Sequence, residues 1–223
     1  MSRFFPRLSF ALLVALAPVA SAQELSGAEQ KTLLTRLQSQ RAQMPAITAN
    51  FTEEKTTRLL SKPIVSTGTL AFQSPNKFRR ELTGNNPSTT VCNGRELWIY
   101  YPNFKEAEHY TLGQRQFFDD SLAALTAGLN FQNVERFFRV AVAQQGTGYQ
   151  VSLTPKTSGL KRILSGLTVW LDGEGLIQRT DAALPKGDRV VTTYRNVRAA
   201  KVSDAKFDFA PPAGVKVSTP LGK

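Results

Sequence analysis

The side chains in this sequence that could do chemistry are few and badly spaced for it. The single histidine, His109, stands between Glu108 and Tyr110, and no second His or Cys lies at a spacing that would close a metal site. The single cysteine, Cys92, falls in a run of strand-forming residues, where a thiol reads as a small core side chain rather than a nucleophile. No G-x-S-x-G elbow precedes a helix. Carboxylates are paired at Glu53-Glu54 and Asp119-Asp120. Adjacent strand residues point to opposite faces, so the first pair cannot act jointly, and the second opens a predicted helix, where negative charge complements the dipole. Gly146-Thr147-Gly148 lacks the third glycine and the following helix of a phosphate loop and reads as a hairpin turn. These groups give no case for an enzyme, and none for a cofactor or a metal.

The beginning of the chain reads as an export signal. Arg3 and Arg7 precede an apolar stretch from Leu8 to Val19, and Ala20-Ser21-Ala22 offers small residues for cleavage before Gln23. The stretch is short for a bilayer span and contains Pro18. Residues 1–22 are therefore read as a signal peptide and 23–223 as one domain, exported and soluble. No Cys stands at the cleavage point to take a lipid, and one cysteine cannot form an internal disulfide, so packing alone must hold the fold. Lys and Arg number 28 against 17 acidic residues, a net charge of +11, or +9 (26 minus 17) without Arg3 and Arg7. Such a surface suits anionic lipid headgroups or an acidic partner, and nucleic acid is excluded by the compartment.

The elements that must position any site follow from periodicity. Ser26 and Glu29 have capping-box spacing ahead of Leu33, Leu34 and Leu37, and Pro45 ends that predicted helix. Strands are predicted at Ile47 to Glu54, Val65 to Gln73, Lys77 to Leu82, Thr89 to Cys92, Glu96 to Tyr101 and Glu106 to Thr111, with Pro75 and Asn93-Gly94 at turns. The period then changes: Phe118, Leu122, Leu125 and Leu129 form a helical stripe, and a short helical piece is expected at Asn133 to Phe138. Strands resume at Phe138 to Gln144, Tyr149 to Thr154, Leu167 to Leu171, Leu176 to Ala182, Arg189 to Asn196 and Lys206 to Phe209. About ten or eleven strands with two or three helices make a mainly β (α+β) domain, and a sheet that long must curl. The expected architecture is a curved, incompletely closed antiparallel β-barrel with a helical lid and a greasy inner face.

These blocks, in this order, resemble the periplasmic outer-membrane lipoprotein carrier family (LolA, with its anchored relative LolB). The resemblance is carried by Phe51-Thr52-Glu53, the run from Gly68 to Arg79 with the pattern G-x-L-x-F-x-x-P-x-K-F-R, Asn93-Gly94 through Leu97-Trp98-Ile99-Tyr100, and Phe207-Asp208-Phe209-Ala210-Pro211-Pro212-Ala213-Gly214-Val215. It implies an unclosed barrel that shields the acyl chains of a lipoprotein taken from an inner-membrane extractor complex and passed to an outer-membrane acceptor. It also implies a monomer with no cofactor. The cargo could instead be another envelope lipid, or the half-barrel could be a sensory or scaffold domain that binds a membrane protein.

On this reading the acyl cavity is lined by Phe51, Leu70, Phe72, Phe78, Leu97, Ile99, Val169 and Leu171, and the lid carries Phe118, Leu122, Leu125 and Leu129, with Leu33 and Leu37 from the first helix. Alternation alone does not say which strand face is concave. Phe78 is the strongest single candidate, because the family places an aromatic there near the mouth. Family members carry an Arg immediately before the motif proline that ties the lid shut. Here that position is Ser74, and Arg79 and Arg80 stand nearby as candidate contacts to lid or partner. Asn93 replaces a common Asp, and the chain ends soon after Val217, leaving little for a C-terminal hook.

Overall fold

The computed structural model describes residues 23–113, 126 and 128–220. Its strands are β1 (Gln23–Glu24), β2 (Ile47–Thr56), β3 (Ile64–Gln73), β4 (Lys77–Thr83), β5 (Ser88–Asn93), β6 (Glu96–Tyr101), β7 (Glu106–Thr111), β8 (Phe138–Gln145), β9 (Gly148–Pro155), β10 (Gly166–Leu171), β11 (Ile177–Ala183), β12 (Arg189–Ala199) and β13 (Lys216–Ser218). Its helices are α1 (Gly27–Gln43), α2 (Val134–Phe137) and α3 (Ser158–Ile163). The thirteen strands form one sheet in the order β1-β8-β9-β10-β11-β12-β2-β3-β4-β5-β6-β7-β13. The two ends of that order do not pair, so the sheet is a curved wall that stays open. Successive strands are antiparallel neighbours, and only β13 runs parallel to its partner β7.

The count exceeds the ten or eleven strands expected because both edges are finished by fragments, two residues in β1 and three in β13. Pieces that short carry no readable period. The strand expected at Lys206 to Phe209 is instead a 3-10 turn, Asp204–Phe207, opened by Ser203, whose Oγ accepts from the Ala205 amide. That turn buries Phe207 (1 % exposed) against the outer side of the sheet. Helix α3 has no counterpart among the expected elements. Its N-cap is Thr157, whose Oγ1 accepts from the Leu160 amide 3.2 Å away, and Leu160 is fully buried.

Register settles which face is concave. Phe72 pairs with Ile47 and Phe78, Leu70 with Ala49 and Arg80, Cys92 with Phe78 and Leu97, and Val169 with Val151 and Thr180. Side chains directly across a pair share a face, so these residues line one side of the wall continuously. At the pair Phe51 with Gly68 the phenyl ring lies over the glycine: a Cβ added at Gly68 would meet Phe51 Cζ at 2.4 Å and the Glu81 carbonyl oxygen at 2.1 Å. Only glycine fits there, which explains the first position of the G-x-L-x-F pattern.

Helix α1 lies against the concave face and buries Leu33, Leu34, Leu37 and Arg41. The capping box forms as the sequence predicts: Ser26 Oγ accepts from the Glu29 amide, and Glu29 Oε2 accepts from the Ser26 amide at 2.8 Å. Arg41, only 2 % exposed, is the structural surprise. Its Nε donates to the Leu129 carbonyl (3.2 Å) and its Nη2 to the Gly175 carbonyl (2.5 Å), while Nη1 contacts Met44 Sδ. Burial pulls its pKa down, and the nearby charge of Asp172 opposes that shift. One guanidinium thereby joins α1, the turn at Thr126–Leu129 and the β10–β11 connection.

Both the glycine and the buried arginine can be tested by substitution. Gly68→Ala should lower stability by about 1–3 kcal/mol, as overpacking of a tight core does, read as a reduced midpoint in urea with Phe51 displaced; an unchanged midpoint contradicts the close approach. Arg41→Met should cost about 2–4 kcal/mol, because two buried carbonyls lose their donor. Amide exchange at Leu129 and Asn130, both of which donate to the Thr126 carbonyl, should accelerate more than exchange in β9 and β10.

Candidate functional site: a hollow on the concave face

The concave face is not filled solid. A hollow of about 200 Å³ lies between its two halves, with Leu70, Phe78, Leu167, Ile177, Ala182 and Val190 as apolar walls. Gly128 and Leu129 enter it from the turn that follows the expected lid helix. A Cβ at Gly128 would stand 3.1 Å from both Ile177 Cδ1 and Thr180 Cγ2, so the backbone of this turn rests directly on the sheet. Leu129 is 4 % exposed.

Polar contacts fasten this turn in addition to the packing of Gly128, Leu129 and Phe131. Gln38 Nε2 donates to the Phe131 carbonyl (2.9 Å), Arg41 holds the Leu129 carbonyl, and Asn130 Nδ2 donates to the Pro75 carbonyl (2.5 Å). Position 74, where the resemblance led to the expectation of a tying Arg, bears a serine whose Oγ is buried with no hydrogen-bond partner among the described residues. The fastening comes instead from α1 on one side and from the carbonyl one residue later on the other.

The residues expected to line a cavity separate into groups. Leu70, Phe78 and Leu129 border the hollow itself. Phe51, Phe72, Leu97, Val169 and Leu171 are buried on the same face, packed around the hollow rather than bordering it. Ile99 is half-buried, opposite Thr90. Leu33 and Leu37 pack in the same cluster from α1. Phe118, Leu122 and Leu125 lie outside the described residues.

The neighbours Arg79 and Arg80 diverge, as strand parity demands. Arg79 faces the convex side, where it pairs with Glu81 (2.7 Å) and reaches the Lys206 and Asp208 carbonyls. It holds the C-terminal strap on the sheet and is directed away from any lid. Burial works against ionisation of Glu81, but hydrogen bonding and charge from Arg79, with help from Lys206 and Thr69, leave its carboxyl below the usual range. Arg80 faces the hollow. Its Nη2 lies 2.5 Å from Glu53 Oε2 and its guanidinium 4.3 Å from the centre of the Phe51 ring. Thr90, Thr180, Thr192 and Tyr194 complete a polar stripe along the wall. Thr192 and Tyr194 escaped the sequence reading, and Glu53, weighed there as one of a carboxylate pair and as part of the Phe51-Thr52-Glu53 block, was not placed at the cavity, although it stands two residues from Phe51 and therefore shares its face.

The groups considered for chemistry remain apart. Cys92 is fully buried and burial raises its thiol pKa, so it stays protonated. His109 stacks on Trp98 with ring centres 4.2 Å apart, on the convex side, with Glu96 Oε1 at 3.4 Å. Among the described residues no group of three or more His, Cys, Asp or Glu could hold a metal ion, and no helix is long and apolar enough to cross a membrane. Nothing in this arrangement positively indicates catalysis. The β2–β3 hairpin exposes Leu59 (94 %), Leu60, Ile64 and Val65, amid Lys55, Arg58 and Lys62 and no acid between residues 55 and 65.

The chain is similar to known proteins along almost its whole length. It is 28% identical over 207 residues to an outer-membrane lipoprotein carrier protein of Serratia proteamaculans, covering 92% of this chain and 95% of that one. With the protein of the same description from Chromobacterium violaceum it shares 28% identity over 220 residues, 97% of this chain and 98% of the other. Among solved structures, an uncharacterized conserved protein from Thermus thermophilus superposes with a TM-score of 0.51 at 10% identity, covering 85% of this chain and 99% of that one, which speaks for the fold alone. The family model described as outer membrane lipoprotein carrier protein LolA matches residues 42–210, and the chain belongs to that family.

Proposed function

We propose that this protein is a periplasmic carrier that shields the acyl chains of lipoproteins in the concave hollow and shuttles them from an inner-membrane extractor to an outer-membrane acceptor. The observation that carries this reading is the apolar hollow bordered by Leu129, a side chain on a turn that hydrogen bonds pin at separate points in addition to its packing. Exposing acyl chains to water costs about 0.8 kcal/mol per methylene, on the order of 10 kcal/mol for each long chain. Pockets for drug-sized ligands span about 300–1,000 Å³, so a hollow of about 200 Å³ takes an acyl chain only when Leu129 withdraws. The cost of withdrawing it offsets part of the binding energy and permits release without a nucleotide.

Within this reading the exposed tip of the β2–β3 hairpin supplies a route to the membrane. Apolar side chains rimmed by cations suit the headgroup layer of an anionic bilayer.

Residues 23–223, purified, should form a soluble complex with a triacylated lipoprotein and none with the same protein lacking its acyl groups. Phe78→Asp, which places a charge in the wall, should weaken that complex at least tenfold while the circular dichroism spectrum is kept. A folded protein that binds neither the lipoprotein nor an apolar fluorophore rejects the carrier role. Leu59→Ser with Leu60→Ser should lower co-sedimentation with anionic vesicles roughly fivefold, the effect of about 1 kcal/mol of lost apolar insertion; equal sedimentation removes the tip from the handover.

A further inference from the structure

A hollow whose only task is to surround methylene groups needs only methyl and methylene walls. This one has an ion pair in its wall. Arg80 and Glu53 are mostly covered, at 23% and 18% side-chain exposure, and both border the hollow. A covered ion pair recovers little beyond what its two charges lose in leaving water, so it adds no stability that apolar residues of similar volume could not supply. It is therefore a feature whose explanation lies in what the hollow holds.

We infer that Arg80, backed by Glu53, is a subsite for an acyl oxygen of the cargo, the carboxylate or the ester or amide carbonyl at the head of an acyl chain. The inference rests on the carrier reading above and adds to it the part of the cargo that is recognised. The geometry fixes the sign of the ligand. Glu53 Oε2 already accepts from Arg80 Nη2 and, at 3.4 Å, from Thr192 Oγ1, so the carboxylate is engaged. Arg80 carries five N–H donors, and among the described residues its hydrogen-bond acceptor is Glu53 alone. Its remaining donors are open to water at the hollow, and a planar fork suits a carbonyl or carboxylate that takes the water's place. The Phe51 ring, 4.3 Å from the guanidinium carbon, holds the plane of that fork in place without using a donor.

The distribution of polarity around the hollow agrees. Thr192 lies beside the pair on β12, and Leu70 and Phe78 flank Arg80 on β3 and β4. Leu129 and Ile177 stand in the same wall. An acyl chain that displaced Leu129 would run along apolar surface with its oxygen end at Arg80.

The test compares three probes of equal chain length, dodecanoate, methyl dodecanoate and dodecane, displacing an apolar fluorophore from residues 23–223. The wild-type chain should take the acid, the ester or both about 10-fold or more tighter than the alkane, the ratio one hydrogen bond to a charged group supplies. A preference for the acid over the ester identifies a free carboxylate as the natural group, and equal affinity identifies the carbonyl of an esterified or amide-linked chain. Arg80→Met should bring acid, ester and alkane to within about threefold of one another while alkane binding is retained. The double variant Glu53→Gln with Arg80→Met leaves no charge unpaired and should behave alike, which keeps the test readable if the single variant unfolds. An unchanged ratio in either folded variant overturns the subsite and leaves the carrier standing. Failure of the wild-type chain to bind any of the three overturns the carrier reading and the subsite together.

Discussion

The structure depends on one constraint: a long antiparallel sheet with a broad apolar concave face and, among the described residues, no second sheet to cover it. Period-two alternation places Phe51, Leu70, Phe72, Phe78, Leu97, Val151, Val169 and Leu171 on the same side of consecutive strands. A strip of that extent cannot face water, and the twist inherent in strands bends the sheet around its own oily side. Much of the rest is a way of covering what curvature leaves uncovered. Helix α1 contributes Leu33, Leu34 and Leu37, and the stretch from Leu129 to Val134 contributes Leu129, Phe131 and Val134, all in one buried cluster. The convex face is served separately by the C-terminal strap, with Phe207 buried, Phe209 against Trp98 and Tyr100, and Arg79 holding the strap backbone.

How the cover is attached bears on what the hollow can do. Apolar packing alone would join it to the core over a broad area, at about 1.5–3 kcal/mol for each buried large side chain. At the turn carrying Leu129 the structure adds point contacts: Gln38 to Phe131, Arg41 to Leu129, Asn130 to Pro75. Each such bond exchanges with water for a net of about 1 kcal/mol. Withdrawing the turn therefore costs a few such bonds and the burial of Leu129, and of Phe131 where that residue moves with it, set against the on the order of 10 kcal/mol that a long acyl chain gains by leaving water. Arg41 differs from the other fasteners, because it is a buried charge whose Nη2 is also held by the Gly175 carbonyl, with the Asp172 charge nearby.

The sequence made the elements legible and the faces ambiguous. The capping box at Ser26, the stop at Pro45 and the meander from β2 to β7 follow from local rules that the structure obeys. Alternation divides each strand into two sets without saying which set lies inside, since that depends on the direction of curvature, a property of the whole sheet. Hence Arg79 and Arg80 carried the same expectation and took opposite positions. Arg41 was invisible for another reason: a basic residue in the last turn of a helix ordinarily complements the helix dipole at the surface. Its burial follows from acceptors 88 and 134 residues away in sequence. The strand expected at Lys206 failed because Phe207 finds its burial through a single turn of 3-10 helix, which needs no partner strand.

The position of Arg80 connects these points to specificity. Had the chain kept an apolar residue there, the wall would be uniformly oily and would accept any hydrocarbon in proportion to its area, a graded and undiscriminating attraction. An arginine at that register position, opposite Leu70 on β3 and Thr90 on β5, adds a penalty as well as an attraction. An occupant that brings no acceptor leaves donors covered and unpaired, and discrimination against ligands lacking a matching group is stronger than discrimination by fit alone. Glu53 moderates the penalty by keeping the guanidinium partnered when the hollow is empty. The same pairing that lets an empty protein carry a charge in its wall thus makes that wall selective when it is filled.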